Sequence, residues 1–343
     1  MLSTIIVSPR ERFSSLPESL QSLFLTIPKD QPVIVVEGAT PPDIRAELEE
    51  LRKRRPFTLV SLPYPVTPNE ARNRGVKLAK TAYVVFCDND IAYEAGWLSA
   101  LEKTAVAEQA DAVAPLIFIG PSTPKRIHHA GGSLIAEKSS SSVVLKEKHR
   151  LMNQDWPEVK DRIDELAPVS NEVCEFHCAM VKRSFLQAVG GLDERLITRE
   201  QMDFALQAKA HNGRVVFSRA AHVTYRALDP IARLDDLHYF LFRWSDEKVV
   251  QSLNAFEKNW SVSSERDRVR FGWTRRHRRS AVASYHKNIS KVLGSKLTGR
   301  ILLPMEERRA KSHFRKSLAQ HEAAPKTEPR TTIVAEELFD FKV

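Results

Sequence analysis

The sequence predicts an α/β protein whose core is a mostly parallel β-sheet with helices on its faces. Short apolar runs typical of buried strands alternate with segments whose apolar residues recur at helical spacing. The strand-like runs are STIIVS, PVIVVEG and FTLVSLP, and the helix-like segments between them are LPESLQSLFLTI and DIRAELEELRKR. Because parallel strands are joined by long crossovers that are usually helical, this alternation favours a parallel sheet.

The same alternation continues along the chain. NEARNRGVKLAK predicts a helix with Asn69 as a candidate cap, and it leads into TAYVVFCDND, a strand that ends in acidic residues. GWLSALEKTAVAEQ predicts a helix and DAVAPLIFIG a strand, whereas residues 121–170 predict a region of mobile loops. EFHCAMVKRSFLQAVGGLDE indicates a strand, a helix and a Gly-Gly turn, and REQMDFALQAKAHNGRVVF a helix, an Asn-Gly stop and a strand.

The chain is too long for one average domain, and its composition changes near residue 230. Residues 1–230 are expected to form the α/β domain, and residues 231–320 a helical, basic C-terminal extension that begins with DDLHYFLFRWSDEKVVQSLNAFEKNW. Residues 321–343, rich in Pro, Glu and Thr at their start, are expected to be disordered.

Composition indicates the cellular compartment in which the protein is expected. No run of about 18 apolar residues occurs, and the N-terminus lacks the apolar core of a secretory signal, so we expect a soluble, cytoplasmic protein. Three cysteines in 343 residues favour a reducing compartment over a disulfide framework.

Positive charge is concentrated in the C-terminal extension. Residues 261–320 carry 16 Lys or Arg against 4 acidic residues, within a net charge of +9 for the whole chain. This distribution suggests contact with an anionic membrane surface, through basic side chains and the interspersed Phe271, Trp273, Tyr285, Leu293 and Phe314. A solvated basic tail is the alternative, and nucleic acid is not expected because no reading motif or aromatic stacking platform is present.

Asp88 and Asp90 are two residues apart directly after a buried apolar strand. Ligands of open α/β sheets bind at the carboxyl ends of the strands, so these carboxylates stand where a site is expected. Two hard oxygen ligands at this spacing suit Mn²⁺ or Mg²⁺, which would bridge the phosphates of a nucleoside diphosphate.

The order of these segments resembles the inverting, family 2-like nucleotide-sugar glycosyltransferases of the GT-A fold. The resemblance covers STIIVS and its loop, PVIVVEG, NEARNRGVKLAK, TAYVVFCDND, EFHCAMVKRSFLQAVGGLDE, REQMDFALQAKAHNGRVVF and His222. It implies an inverting transfer of sugar from a nucleotide diphosphate donor, with an envelope glycan or lipid-linked saccharide as the candidate acceptor. Composition and the charge of the C-terminal extension together predict a location in the cytoplasm, with peripheral contact at the inner face of the membrane.

The resemblance also implies roles for individual residues. Asp88 and Asp90 would bind the metal and the donor diphosphate, with His222 as a third metal ligand. The implied nucleotide-sugar contacts are Pro9, Glu37, Arg72, Asp88 and Asp193. Glu37 stands where an Asp is usual, and its longer side chain weakens that assignment.

The resemblance departs from the family at the catalytic base. Relatives carry Glu-Asp-x-Asp at the start of the helix after the Gly-Gly turn, whereas this chain has Glu200-Gln201-Met202-Asp203. Glutamine cannot accept the acceptor's proton, so the role falls to Glu200, which we favour, or to Asp203. The competing hypothesis is a degenerate GT-A domain that binds nucleotide sugar or glycan without turnover.

Two histidine-containing motifs have ordinary explanations. His128 and His129 could line the donor pocket, although loop histidines are more often solvated. Cys174, His177 and Cys178 could suggest zinc, but along a strand the two cysteines share a face with apolar residues while His177 points away. We therefore expect both cysteines to pack in the core.

Overall fold

The computed structural model describes residues 1–138, 142–167, 169–226, 230–322 and 334–339. The predicted disordered tail therefore lies largely outside the described residues, as do three of the four serines at 139–142. The strands within these ranges are β1 (Ser3–Ser8), β2 (Val33–Gly38), β3 (Thr58–Leu62), β4 (Tyr83–Asp88), β5 (Ile91–Tyr93), β6 (Ala112–Ile119), β7 (Arg126–His129), β8 (Gly132–Lys138), β9 (Val143–His149), β10 (Cys178–Lys182), β11 (Val215–Tyr225) and β12 (Val262–Ser263).

The helices in the same ranges are α1 (Leu16–Thr26), α2 (Pro42–Arg54), α3 (Pro68–Leu78), α4 (Trp97–Ala107), α5 (Trp156–Val159), α6 (Ile163–Leu166), α7 (Arg183–Ala188), α8 (Glu200–Ala210), α9 (Leu234–Arg243), α10 (Asp246–Trp260), α11 (Arg275–Tyr285), α12 (Lys287–Leu293) and α13 (Ser295–Glu322). Short 3-10 turns occupy Lys160–Arg162 and Ala335–Leu338, and a π-helical segment occupies Arg268–Thr274.

The central sheet has the strand order β3-β2-β1-β4-β10-β6-β11-β5, with β7 paired to β6. The pairs β3-β2, β2-β1, β1-β4 and β6-β11 are parallel, as the sequence predicts, and β10 and β5 pair antiparallel. Every residue of β1, β2 and β4 is buried, which explains why these strands read as continuous apolar runs.

Alternating residues of these strands build two hydrophobic cores, one on each face of the sheet. Ile6 and Phe86 belong to one core, whereas their neighbours Ile5 and Val85 belong to the other. This alternation follows from the two-residue period of a strand. The helices that the sequence predicts on the faces of the sheet therefore cover both sides.

Two local predictions are wrong. The region predicted as mobile loops contains β7 and the antiparallel strand pair β8-β9, and β12 of the extension pairs with β9. The cap of α3 is Thr67, whose hydroxyl accepts from the backbone N–H of Glu70, and Asn69 instead donates to the carbonyl of Asp193. Pro68 at the first helical position moves the start of the helix ahead of Asn69.

The C-terminal extension is helical and packs over the carboxyl ends of the parallel strands. Asp236 of α9 accepts hydrogen bonds from the backbone N–H groups of Phe13 and Ser14, and the Trp244 indole donates to Glu11. Because these partners follow β1, the extension forms a second wall above the sheet edge. Among the residues described, no helix is both long and apolar enough to cross a membrane.

Candidate active site

Three potential metal ligands meet at the carboxyl end of β4. Asp88 is the last residue of the strand, Asp90 follows it, and His177 immediately precedes β10, which pairs antiparallel with β4. Ligand atoms of these three buried side chains lie within 4.8 Å of one another. The sheet topology therefore brings the carboxyl groups of Asp88 and Asp90 and the imidazole of His177 together.

Asp88 is fully buried and surrounded by nitrogen donors. The Arg72 guanidinium donates to its Oδ1 at 2.7 Å, while His177 Nδ1 and Arg10 Nη1 lie 3.0 and 3.2 Å from its Oδ2. Burial alone would raise the pKa of Asp88, but the positive charges of Arg10 and Arg72 outweigh it and hold the pKa well below its usual range. Asp88 is therefore ionised at neutral pH.

Asp90 has the opposite environment. Its Oδ1 is buried and has no hydrogen-bond partner, and burial beside the negative charge of Asp88 raises the pKa of Asp90 to about 8. Burial and the neighbouring Arg10 lower the pKa of His177 to about 4, which keeps its imidazole neutral. An unpartnered carboxyl oxygen beside an ionised carboxylate and a neutral imidazole fits a divalent cation such as Mn²⁺, whose charge would favour the ionised form of Asp90.

A cavity of about 880 Å³ opens beside this group. One wall comes from the sheet ends and includes Arg10, His177 and Tyr225, and the opposite wall comes from the extension and includes Trp244 and Arg276. This volume lies in the range of small-molecule sites, and its lining mixes aromatic and charged groups. Asp88 and Asp90 are buried and do not line the cavity themselves, and neither does Pro9; the cavity reaches this group through Arg10 and His177. The cavity can accept a polar ligand with anionic groups at the end that Arg10 and His177 line.

The start of α8 forms part of the cavity wall. Arg199 precedes the helix with φ +66°, a left-handed conformation that is uncommon for a residue with a side chain. Glu200 follows, and its Oε1 lies 3.9 Å from Arg10 and 3.8 Å from Arg243. The side chain of Gln201 also lines the cavity and donates from Nε2 to Glu147 at 3.1 Å.

The hairpin β8-β9 contributes a further polar group to the lining. His149 Nε2 lies 3.0 Å from Glu147 and 3.6 Å from Glu175. Burial would lower the pKa of His149, but the hydrogen bond to Glu147 raises it to about 9. Burial and the negative charge of Glu147 raise the pKa of Glu175 to about 7.

Several residues predicted as site residues lie outside this lining. Arg72 is buried behind Asp88, where it also donates to Asn69 and to the carbonyl of Phe176. Glu37 accepts from the backbone N–H of Thr40 and lies 3.3 Å from Arg45. The geometry of Arg72 supports a role in fixing Asp88 rather than in contacting a nucleotide base.

Asp193 and Asp203 are engaged in the packing of the extension. Asp193 accepts from Arg195 and Asn259, and Asp203 accepts from the Trp260 indole at 2.8 Å. Both carboxylates are buried outside the lining of the cavity. Within the group predicted to supply the base, the structure therefore brings Glu200 to the cavity and directs Asp203 toward Trp260.

His222 lies apart from the two aspartates that it was predicted to join. Its Nδ1 is 3.5 Å from Glu94, its Nε2 is 2.9 Å from the carbonyl of Arg219, and its ring packs against Phe118 and Trp156. The irregularity of β11 between residues 218 and 222 displaces it from the register of the preceding strand residues. Among the described residues, the histidine that lies beside Asp88 and Asp90 is His177.

Sequence reasoning missed several lining residues. Arg10 follows Pro9, the predicted contact residue, so the loop was identified but the guanidinium that reaches Asp88 was not. His177 was considered only with Cys174 and Cys178, and both cysteines are buried and free as expected. The antiparallel pairing of β10 with β4, which sets His177 beside Asp88, has no signal in the local pattern.

Comparison with known proteins agrees with this architecture. Residues 3–190 match the sequence model of glycosyl transferase family 2. A search among curated proteins gives no significant match. Two similar solved structures are the mannosyltransferase PcManGT from Pyrobaculum calidifontis, in complex with GDP-Man and Mn²⁺, and GalNAc-T7 with UDP, GalNAc and Mn²⁺.

Both structural similarities extend over most of this chain at low sequence identity. PcManGT aligns with a TM-score of 0.50 and 14% identity over 94% of this chain and 84% of its own. GalNAc-T7 aligns with a TM-score of 0.52 and 14% identity over 85% of this chain, which spans only 58% of the GalNAc-T7 chain. The fold is that of the GT-A glycosyltransferases, with a helical C-terminal extension. Because the family model matches more than half of its residues, the chain belongs to glycosyl transferase family 2.

Proposed function

We propose that the protein is an inverting glycosyltransferase that moves a sugar from a nucleotide diphosphate donor to an acceptor hydroxyl. The observation that carries the proposal is the group of Asp88, Asp90 and His177 at the carboxyl end of β4, beside the 880 Å³ cavity. The two similar structures hold GDP-Man or UDP together with Mn²⁺, which supports the same class of donor for this chain.

Asp90 is the residue best suited to a metal, because its buried Oδ1 lacks any hydrogen-bond partner. Asp88 and His177 would complete the set of donor atoms within the protein. Mn²⁺ or Mg²⁺ held there would neutralise the charge of the donor diphosphate. Arg10 adds a fixed positive charge at the same end of the cavity, 3.2 Å from Asp88, and we assign it a diphosphate contact.

Transfer also requires a group that accepts the proton of the acceptor hydroxyl. Glu200 is the sequence-derived candidate, and its carboxylate lines the cavity. Its Oε1 lies 3.9 Å from the guanidinium group of Arg10 and 3.8 Å from that of Arg243. Asp203 is a weaker candidate because the Trp260 indole holds its carboxylate outside the cavity.

Turnover with a panel of UDP-, GDP- and dTDP-sugars, with Mn²⁺, Mg²⁺ or EDTA, tests the proposal. We expect hydrolysis or transfer with at least one donor and its loss in EDTA. Metal-dependent nucleotide binding without turnover for any donor would instead favour the degenerate GT-A domain. Absence of both binding and turnover would contradict the assignment of the cavity as a donor site.

We further propose that α12 and the first half of α13 contact an anionic membrane. The enzyme would then act at the inner face of that membrane. Six apolar side chains are between 36% and 83% exposed there, at Ile289, Val292, Leu293, Leu297, Ile301 and Met305. We call these six residues the α12-α13 patch. Lys287, Lys291, Lys296 and Arg300 belong to the same helices.

The apolar side chains that are exposed on α12 and α13 differ from those that the sequence suggested for membrane contact. Phe314 is 1% exposed, because it packs against Phe242, so it cannot enter a lipid headgroup layer. Leu297, Ile301 and Met305 recur every four residues and form one stripe along α13. Each nearby basic residue contributes about 1 kcal/mol of attraction to an anionic surface.

Sedimentation with vesicles measures this contact. Wild type should bind vesicles of mixed anionic and neutral lipid more strongly than purely neutral vesicles, and Val292→Glu/Ile301→Glu should reduce that binding. Leu25→Glu is the matched control, because Leu25 is 87% exposed but lies on α1. Equal binding to both vesicle types, or equal effects of the two sets of substitutions, would refute the role of the α12-α13 patch.

A further inference from the structure

Glu147 contributes a carboxylate to the cavity wall. It belongs to strand β9, whereas the expected catalytic motif lies at the start of α8. It lies on β9, where alternate residues share a face, and Val143 and Leu145 on that face pack into a hydrophobic core. Two residues further along, Glu147 reaches the cavity with its side chain 8% exposed. Pairing with β8 and β12 fixes the strand, so Glu147 stands on a supported element.

The contacts of Glu147 link it to the start of α8. Its Oε2 accepts a hydrogen bond from Gln201 Nε2 at 3.1 Å, and His149 Nε2 lies 3.0 Å from its Oε1. Gln201 is the position at which the resemblance predicts a carboxylate, and an amide cannot take up a proton there. The carboxylate that Gln201 lacks is thus supplied at hydrogen-bond distance by Glu147.

Glu147 lines the same cavity as His177 of the metal-ligand group. The ring of His128 contacts both regions, with its centroid 5.2 Å from that of His177 and 6.3 Å from that of His149. His177 in turn contacts Asp88, and His149 contacts Glu147. A chain of neighbouring side chains along one cavity wall therefore connects the candidate donor group to Glu147.

Glu147 and Glu200 differ in the groups that surround them. Oε1 of Glu200 lies 3.9 Å from Arg10 and 3.8 Å from Arg243, and Arg10 also contacts Asp88, so Glu200 faces the guanidinium groups at the metal-ligand end of the cavity. Glu147 instead lies between the amide of Gln201 and the imidazole of His149. This placement favours Glu147 as the carboxylate that contacts the acceptor hydroxyl.

We propose that Glu147, rather than Glu200, is the general base for the acceptor hydroxyl, and this inference rests on the proposed glycosyltransferase function. The acceptor oxygen forms the new bond to the anomeric carbon while its proton passes to Glu147. The bond from the anomeric carbon to the diphosphate oxygen breaks, and its electron pair leaves with the nucleoside diphosphate. His149 is a positioning residue that holds the carboxylate of Glu147 toward the cavity.

Steady-state transfer kinetics of Glu147→Gln, Glu200→Gln and the double variant Glu147→Gln/Gln201→Glu test this assignment. Removal of a general base costs about 100-fold or more in kcat, and we expect that loss for Glu147→Gln with nearly unchanged Mn²⁺-dependent binding of UDP or GDP. Gln201→Glu in that background returns a carboxylate to the neighbouring position and should recover about tenfold or more. Glu137→Gln is the matched control, since Glu137 is an exposed carboxylate of the same hairpin that does not line the cavity.

Near-native kcat of Glu147→Gln would overturn the assignment, and so would a loss of kcat that Gln201→Glu does not recover. If Glu147→Gln fails to fold, the comparison moves to Glu147→Asp, which keeps the acid. A folded Glu147→Asp that is as inactive as Glu147→Ala would also overturn the assignment. A wild type that binds donor without any turnover would refute Glu147 as a base while leaving the donor site intact, and a wild type that binds no nucleotide would refute the proposed function itself.

Discussion

The buried contact between Arg72 and Asp88 yields the sharpest prediction about stability. Neither side chain is exposed to solvent, and Arg72 donates to three acceptors, Asp88, Asn69 and the Phe176 carbonyl. Substitution Arg72→Met removes the charge but keeps most of the apolar stem, so it leaves a buried carboxylate with one partner fewer. Breaking a buried pair in this way costs about 3–5 kcal/mol in the free energy of unfolding.

Urea unfolding followed by circular dichroism measures this loss. Asp88→Asn should destabilise the protein less, because Arg72 keeps its other two acceptors, and the double variant should lose less than the sum of the two single losses. Arg54→Met is the control, since Arg54 is an exposed arginine that pairs with Glu50 on α2. A loss below about 1 kcal/mol for Arg72→Met would refute the reasoning, because about 1 kcal/mol is the average effect of point substitutions in general.

Three further predictions concern the candidate site. Asp203→Asn should lower the free energy of unfolding by about 1–3 kcal/mol and leave kcat nearly unchanged, because the Asp203 carboxylate accepts a buried hydrogen bond from the Trp260 indole. A large loss of kcat without a loss of stability would restore Asp203 as a catalytic candidate. His149 has a folded-state pKa of about 9 against an ordinary 6.5, so the stability that it contributes is complete below pH 6.5 and is lost as pH rises through 9. Urea unfolding across this range should show a decrease of up to about 3 kcal/mol that is absent in His149→Gln, and identical pH profiles would contradict the pairing. His177→Gln should weaken Mn²⁺-dependent GDP or UDP binding measured by calorimetry, whereas His222→Gln should not; the reverse order would return the ligand role to His222.

The parallel half of the sheet could be predicted from the sequence because its strands are buried on both faces. β1, β2 and β4 are continuous apolar runs separated by helices of clear periodicity, and that order also fixes Asp88 at a strand end. The strands β8 and β9 were missed, because their residues are only partly buried and mix lysine and glutamate with apolar side chains. Local pattern does not identify such a hairpin when its stability depends on contacts made elsewhere in the chain.

The candidate site was only partly predictable for the same reason. Asp88, Asp90 and Glu200 follow local signals, namely a strand end and a helix start. His177 and Glu147 reach the site through the antiparallel pairing of β10 and through the β8-β9 hairpin, which are long-range features. Arg72 was identified as important, but the sequence could not distinguish an arginine that contacts the ligand from one that holds Asp88.

Calorimetric titration of GDP and UDP, with and without Mn²⁺, into wild type and Asp90→Asn tests the central assignment most directly. The structure predicts that wild type binds at least one of these nucleotides in a Mn²⁺-dependent manner. In Asp90→Asn the Mn²⁺-dependent part of the affinity should be lost, because the substitution replaces the carboxylate that holds an unpartnered buried oxygen. Retention of the full Mn²⁺-dependent affinity by Asp90→Asn would contradict the assignment of Asp88, Asp90 and His177 as the metal and donor site.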